Sequence, residues 1–199
     1  MRDDAKAQRK AQIEAAAYDL LAEKGFQNMS MLAVAKAAKA SNETLYRWYG
    51  DKVGLFQALI ETNADRVADR LTDRLTDATD PKSALTDLGP NLLAMLLSDR
   101  AVALNQAAAS DATGTLGKVL AEQGRGKVFP LIVDLFKRLT DNKVLTGHPV
   151  DLATLYVDLL VGDLQIRRAT GALGPLTDTV LTDRAQKAEA RLMTLAGVS

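Results

Sequence analysis

The chain has 199 residues, 47% of them hydrophobic, with 25 Lys+Arg balanced against 25 Asp+Glu. That length and apolar content can bury a substantial core, as one domain or two small ones. Zero cysteines exclude disulfides, thiolate metal sites and cysteine nucleophiles, and no apolar run approaches the roughly 20 residues needed to cross a bilayer. The first residues, Met-Arg-Asp-Asp-Ala-Lys, carry charge and no apolar h-region, so a cytoplasmic location is expected. Whole-chain neutrality conceals a small asymmetry. Residues 1–52 hold nine Lys+Arg against seven Asp+Glu, a net +2, and the remainder is net −2. The sign suits an N-terminal contact with nucleic acid, and its size implies weak non-specific affinity.

Helix breakers divide the sequence into about nine helices with no convincing strand, an all-α class. The first is expected over Lys6–Lys24, with Ile13, Ala16, Ala17, Leu20 and Leu21 inward and Gly25 as a left-handed cap. Its early bases, Lys6, Arg9 and Lys10, either rest on a nucleic-acid backbone or are simply exposed. Ser30 suits the N-cap of a second helix, Met31–Ala38, whose inner stripe is Met31, Val34, Ala35 and Ala38. A short turn, Lys39-Ala40, leads to Ser41, which can cap a third helix with Thr44 as its capping partner.

The third helix sorts its residues by face. Leu45, Trp48 and Tyr49 fall within a sector of about 100° and can dock on other helices. Glu43, Tyr46 and Arg47 point the other way, with Asn42 beside them. An amide, a carboxylate, a phenol and a guanidinium on one face can bond phosphates and base edges. A solvated surface helix is the alternative for this segment taken alone. Cap, short helix, tight turn, cap and amphipathic helix together compose a helix-turn-helix, the unit that lays a second helix in the DNA major groove.

A fourth helix begins near Lys52, buries Leu55, Phe56, Leu59 and Ile60, and extends toward Leu75 with acid and base at i,i+4 in its latter half. A second helical domain is expected from Pro81 onward, with Gly89-Pro90 kinking or splitting its first helix. Next come an Ala-rich helix over Arg100–Ala109, a loose stretch at Thr113–Gly117, and Gly124-Arg125-Gly126 loosening a helix striped by Phe129, Ile132, Val133, Leu135, Phe136 and Leu139. Pro149 to about Arg168 reads as one strongly apolar helix, and Thr177–Leu195 as the last, with Val180, Leu181, Ala185, Ala188, Leu192 and Leu195 inward. Those two helices either complete one core or pair with a second copy.

The pattern Gly25-Phe26, Ser30, Val34-Ala35, Ser41, Leu45-Tyr46, Trp48-Tyr49 and Lys52 resembles the TetR family of bacterial transcriptional regulators, ungapped over residues 9–60. The family's turn usually has Gly where this chain has Lys39; a left-handed Lys there is strained by about 1 kcal/mol relative to Gly. Trp48 replaces a His that often contacts phosphate in the family, so its indole N–H either donates to a phosphate or is buried.

The resemblance implies an N-terminal three-helix helix-turn-helix domain (residues 1–52) and a larger helical ligand-binding and dimerisation domain (53–199). It further implies a homodimer through helices 150–168 and 177–195, a palindromic double-stranded operator, and release by a small-molecule effector: a repressor. Ser30, Tyr46, Lys52 and Trp48 are then candidates for phosphates, and Asn42, Glu43, Thr44 and Arg47 for the groove, with Ser41 capping at the same edge. Enzyme chemistry finds little material: the one histidine, His148, sits in a Gly-His-Pro loop, and there is no Gly-rich phosphate loop. No cofactor, metal site or membrane partner is expected. The competing reading is a helical ligand-binding or interaction module with weak or lost DNA binding. Met95, Phe129, Phe136 and Tyr156 suggest apolar pocket lining but serve equally as core.

Overall fold

The computed structural model describes residues 2–77 and 80–198, with side chains over 4–73 and 80–198; Arg74 and Leu75 of the expected fourth helix therefore lie outside the described side chains. The chain is all-α: α1 (Arg2–Asn28), α2 (Met31–Ala37), α3 (Asn42–Tyr49), α4 (Lys52–Asp77), α5 (Pro81–Leu96), α6 (Asp99–Ala109), α7 (Thr115–Val119), α8 (Gly126–Asp141), α9 (Pro149–Val161), α10 (Leu164–Ala169) and α11 (Asp178–Ala196). A π-helical turn, Leu120–Arg125, joins α7 to α8. Among the described residues the one extended pairing is an isolated bridge between Leu145 and Gly197. No helix among them is long and apolar enough to cross a membrane.

Two compact units emerge, Met1–Asn63 with Ala103–Gly124, and Ala64–Val102 with Arg125–Ser199. The first unit is built on α1–α3 and the start of α4. Ile13 and Ala17 from α1, Val34 from α2, Leu45 from α3, and Leu55, Phe56 and Leu59 from α4 are all fully buried there. Ala103, Leu104 and Ala107 of α6 and Leu116 of α7 join the same core. The helix-turn-helix expected over residues 1–52 thus shares its packing with segments distant in sequence. In the second unit α5, α8, α9 and α11 pack together around Leu85, Leu93, Phe136, Leu139, Tyr156, Leu160 and Leu192.

Several expectations need correction in this second unit. Gly89-Pro90 does not split α5, which runs unbroken through Pro90. The pair marks a close approach: a Cβ on Gly89 would lie 2.6 Å from both the Ala185 Cβ and the Tyr156 hydroxyl. Apolar burial along the stripe Leu85, Leu88, Leu92 and Leu93 holds the helix across the missing N–H. Residues 149–168 form two helices, because Gly162 turns left-handed (φ 50°) and ends α9. The Arg184 guanidinium of α11 closes that end, its Nε and Nη2 donating to the Leu160 and Leu159 carbonyls at 2.9 Å each. The stretch Thr113–Gly117, expected loose, runs into a short helix, Thr115–Val119. The expected nine helices become eleven among the described residues for these reasons.

Val180 and Leu195 are exposed, at 47% and 65%. A helix buries one stripe, and α11 spends it on Leu181, Ala185, Ala188, Leu192 and Ala196; Val180 and Leu195 each sit about 100° off a member of that stripe. Asp158, Asp163 and Arg167 are exposed. Arg168, not singled out by its sequence context, is buried, with Nε on the Leu97 carbonyl, Nη1 on the Leu173 carbonyl and Nη2 at 2.8 Å from Asp99 Oδ1.

Gly89→Ala should destabilise the protein by about 1–3 kcal/mol, the usual cost of overpacking a filled core. Equilibrium denaturation would measure it as a lower midpoint with unchanged slope.

Candidate nucleic-acid interface

Two serines begin the helices of the candidate interface. Ser30, in extended conformation, accepts a bond from the Ala33 N–H at 3.1 Å and starts α2. Ser41 does the same for α3, accepting from the Thr44 N–H at 3.1 Å, and its hydroxyl also pairs with Thr44 Oγ1 at 2.8 Å. Met31, Val34, Ala35 and Ala38 are all buried, and Ala35 at 3% exposure gives α2 the small surface needed to meet α3.

The turn between these helices is a Schellman closure. Ala40 N–H bonds the Ala35 carbonyl at 2.9 Å and Lys39 N–H bonds the Lys36 carbonyl at 3.2 Å. Lys39 occupies the left-handed position, φ 51°, where Gly is the usual residue. Arg9 of α1 reaches the same corner, its Nη1 donating to the Ala38 and Lys39 carbonyls at 3.4 Å.

The faces of α3 separate as its periodicity requires. Leu45 is fully buried. Trp48 and Tyr49 are half-buried against the same core, their rings edge to face at 6.5 Å. Asn42, Glu43, Tyr46 and Arg47 are exposed, while Thr44 is half-buried and turned toward its cap. The helix ends at Gly50, and Asp51 caps α4 by accepting the Gly54 N–H at 2.8 Å.

Lys52, a phosphate candidate by resemblance, is also engaged within the protein. Its ammonium donates to the Phe26 carbonyl at 2.9 Å and the Gln27 carbonyl at 3.3 Å, and lies 4.4 Å from the centre of the Phe26 ring. Two of three N–H donors thus close the carbonyl end of α1, and a phosphate would compete with them. Lys10 is paired with Glu14 at 3.8 Å, and Glu14, 4% exposed, accepts a bond from Thr62 Oγ1 at 3.1 Å. Behind α3, the Tyr18 hydroxyl donates to the Leu59 carbonyl at 3.0 Å. The Tyr49 hydroxyl is buried, and its pKa is pushed well above the ordinary phenol value by desolvation and then by the Glu14 charge. Glu14, Tyr18 and Thr62 went unnoticed in the sequence; only the i,i+4 spacing of Lys10 and Glu14 hinted at them.

Residues 13–59 match the model of the tetR family of bacterial regulatory proteins. A crystal structure of a TetR transcriptional regulator from Agrobacterium tumefaciens superposes with TM-score 0.77 at 28% identity, covering 96% of this chain and 95% of that one. The likeness to TetR-family regulators thus extends over nearly the whole chain, beyond the segment that the family model matches. A regulator of the same designation from Mesorhizobium loti MAFF303099 matches with TM-score 0.83 at 24% identity, over 96% of this chain and 98% of the other. In sequence, the HTH-type transcriptional regulator YdeS of Bacillus subtilis (strain 168) is 32% identical over 121 residues, 59% of this chain. The match spans about half of that relative's length, 55%.

Lys39 stands where the pattern this chain resembles usually has Gly, and it holds a left-handed backbone. No group of three or more candidate metal ligands occurs among the described residues, and His148 is exposed at the start of α9.

Lys52→Met keeps the aliphatic stem and removes the ammonium. It should lower stability by about 1–2 kcal/mol, the loss of charge-assisted bonds to carbonyls at a half-exposed site, read as a shift of the denaturation midpoint.

Proposed function

We propose that this chain is a transcriptional repressor that binds a palindromic operator as a homodimer and leaves it when a small molecule binds. The observation that carries the reading is the division of α3: Leu45 anchored at zero exposure, with Asn42, Glu43, Tyr46 and Arg47 presented to solvent by two capped helices. Arg47 suits the O6 and N7 of guanine and Asn42 the N6 and N7 of adenine. Glu43 and Thr44 lie along the same edge, and Ser30, Ser41, Tyr46 and Trp48 are proposed to set register on phosphates. Lys52 contributes chiefly through the fold, since its ammonium is engaged at α1.

Members of the family bind DNA and effectors as dimers. The last helices of this chain carry features that support the same assembly: Val150, Ile166, Val180 and Leu195 are large apolar residues left 41–65% exposed. A two-fold dimer through 150–168 and 177–195 would present two recognition helices to half-sites about 34–36 Å apart. The effector belongs with the second domain, over residues 53–199. Phe136 and Tyr156, 5.6 Å apart, are core there, and Met95 and Phe129 lie at its margin.

A second reading, a helical ligand-binding or interaction module with weak DNA binding, draws support from the charge. Net +2 over residues 1–52 is small, and Arg9, Lys10 and Lys52 are engaged within the protein. A mobility shift on duplex DNA from upstream of the gene separates the two: the repressor reading requires a salt-dependent complex, and its absence leaves the module. Within such a complex, Arg47→Ala should cost about 1–3 kcal/mol and relax selectivity at one base position, measured by titrating operator variants.

A further inference from the structure

Lys39 combines three features that the left-handed Lys143 (φ 58°) shares in another turn, but Lys39 holds them directly ahead of α3. It holds a left-handed backbone, φ 51°, that Gly or Asn adopts with less strain. Its side chain is exposed. Its ammonium has no partner among the described residues, in contrast to the neighbouring bases Arg9, Lys10 and Lys52. The turn itself is fixed by its Schellman bonds and by Arg9, so the position of Lys39 just ahead of the Ser41 cap is well defined. Lys36, three residues earlier and also exposed, adds a second positive charge to the edge. No Asp or Glu lies between Glu23 and Glu43, so this edge is locally basic in a neutral chain.

We infer that Lys39, supported by Lys36, grips the phosphodiester backbone beside the recognition helix, a contact that offsets the backbone strain of a Lys at that corner. The inference rests on the DNA-binding reading above and deepens it. It assigns the phosphate contact to the turn position at which this chain departs from the usual Gly of the pattern it resembles.

The test is a salt series of fluorescence-anisotropy titrations of the full chain on duplex DNA from upstream of the gene. Lys39→Gly removes the charge and relieves the backbone; Lys39→Asn removes the charge in a residue that tolerates the left-handed region; Lys39→Arg keeps the charge. Each phosphate contact contributes about 0.9 to the slope of log affinity against log salt. Both neutral variants should therefore lose about 0.9 of slope, so that from 50 to 200 mM salt they lose about 3.5-fold less affinity than wild type. Lys39→Arg should keep the wild-type slope, and Lys39→Gly should melt at or above the wild-type temperature, which separates the effect from misfolding. Equal slopes for wild type and both neutral variants overturn the inference and leave the repressor reading standing. A wild-type protein that forms no salt-dependent complex overturns both.

Discussion

Basic side chains closing the carbonyl ends of helices hold this fold in register. The last carbonyls of a helix lack intrahelical donors and carry partial negative charge. Among the described residues, four cations from distant elements meet that demand. Arg9 of α1 serves the end of α2, and Lys52 of α4 serves the end of α1. Arg184 of α11 serves the end of α9, and Arg168 of α10 serves the end of α5. Each contact fixes where one helix begins relative to where another stops, which apolar packing alone constrains loosely. The positions of α2 and α3 on α1 follow from two of them, and the geometry of the polar face follows from those positions.

The same contacts explain what was legible in the sequence and what was not. The helix-turn-helix was legible because its determinants are local: Ser30 and Ser41 cap within three residues, and Met31, Val34, Ala35 and Leu45 fall on helical spacing. The left-handed Lys39 was legible as the residue in a turn position. The roles of Arg9 and Lys52 were not, because their acceptors lie 29 and 26 residues away, and an exposed-looking base in a DNA-binding segment resembles a phosphate ligand. In the second unit, periodicity identified the stripes of α8 and α11 but overextended the latter by including Val180 and Leu195. Pro90 and Gly162 show that breaker residues are ambiguous without tertiary context. The first is carried through by the burial around it, and the second ends a helix because Arg184 is there to receive the carbonyls.

These engagements change the electrostatic reading of the N-terminal segment. Formal charge counts Arg9, Lys10 and Lys52 equally with Lys36, Lys39 and Arg47. The first three are held by carbonyls or a carboxylate, and the last three lie exposed along the end of α2, the turn and α3. A cation already bonded within the protein releases fewer counterions on meeting DNA, so the effective charge at the surface is concentrated near the recognition helix. Such a distribution favours orientation over bulk attraction: it adds little affinity for arbitrary duplex but biases encounters toward the face proposed to read bases.

Rigidity follows from the same geometry and constrains how release can occur. The recognition helix is joined to α4 through Gly50 and the Asp51 cap, and α4 is tied at its first residue to the end of α1. Leu45, Leu55, Phe56 and Leu59 then share one core with Ile13 and Ala17. Tilting α3 alone would lift Leu45 out of that core, a loss of about 2–5 kcal/mol on the scale of emptying a buried leucine site and comparable with the whole bias an effector supplies. Moving the whole helix-turn-helix unit as a body disturbs none of those contacts. On the proposed function, an effector therefore acts on the separation and orientation of two intact recognition units, and the base-reading surface of each one is the same in the bound and released states.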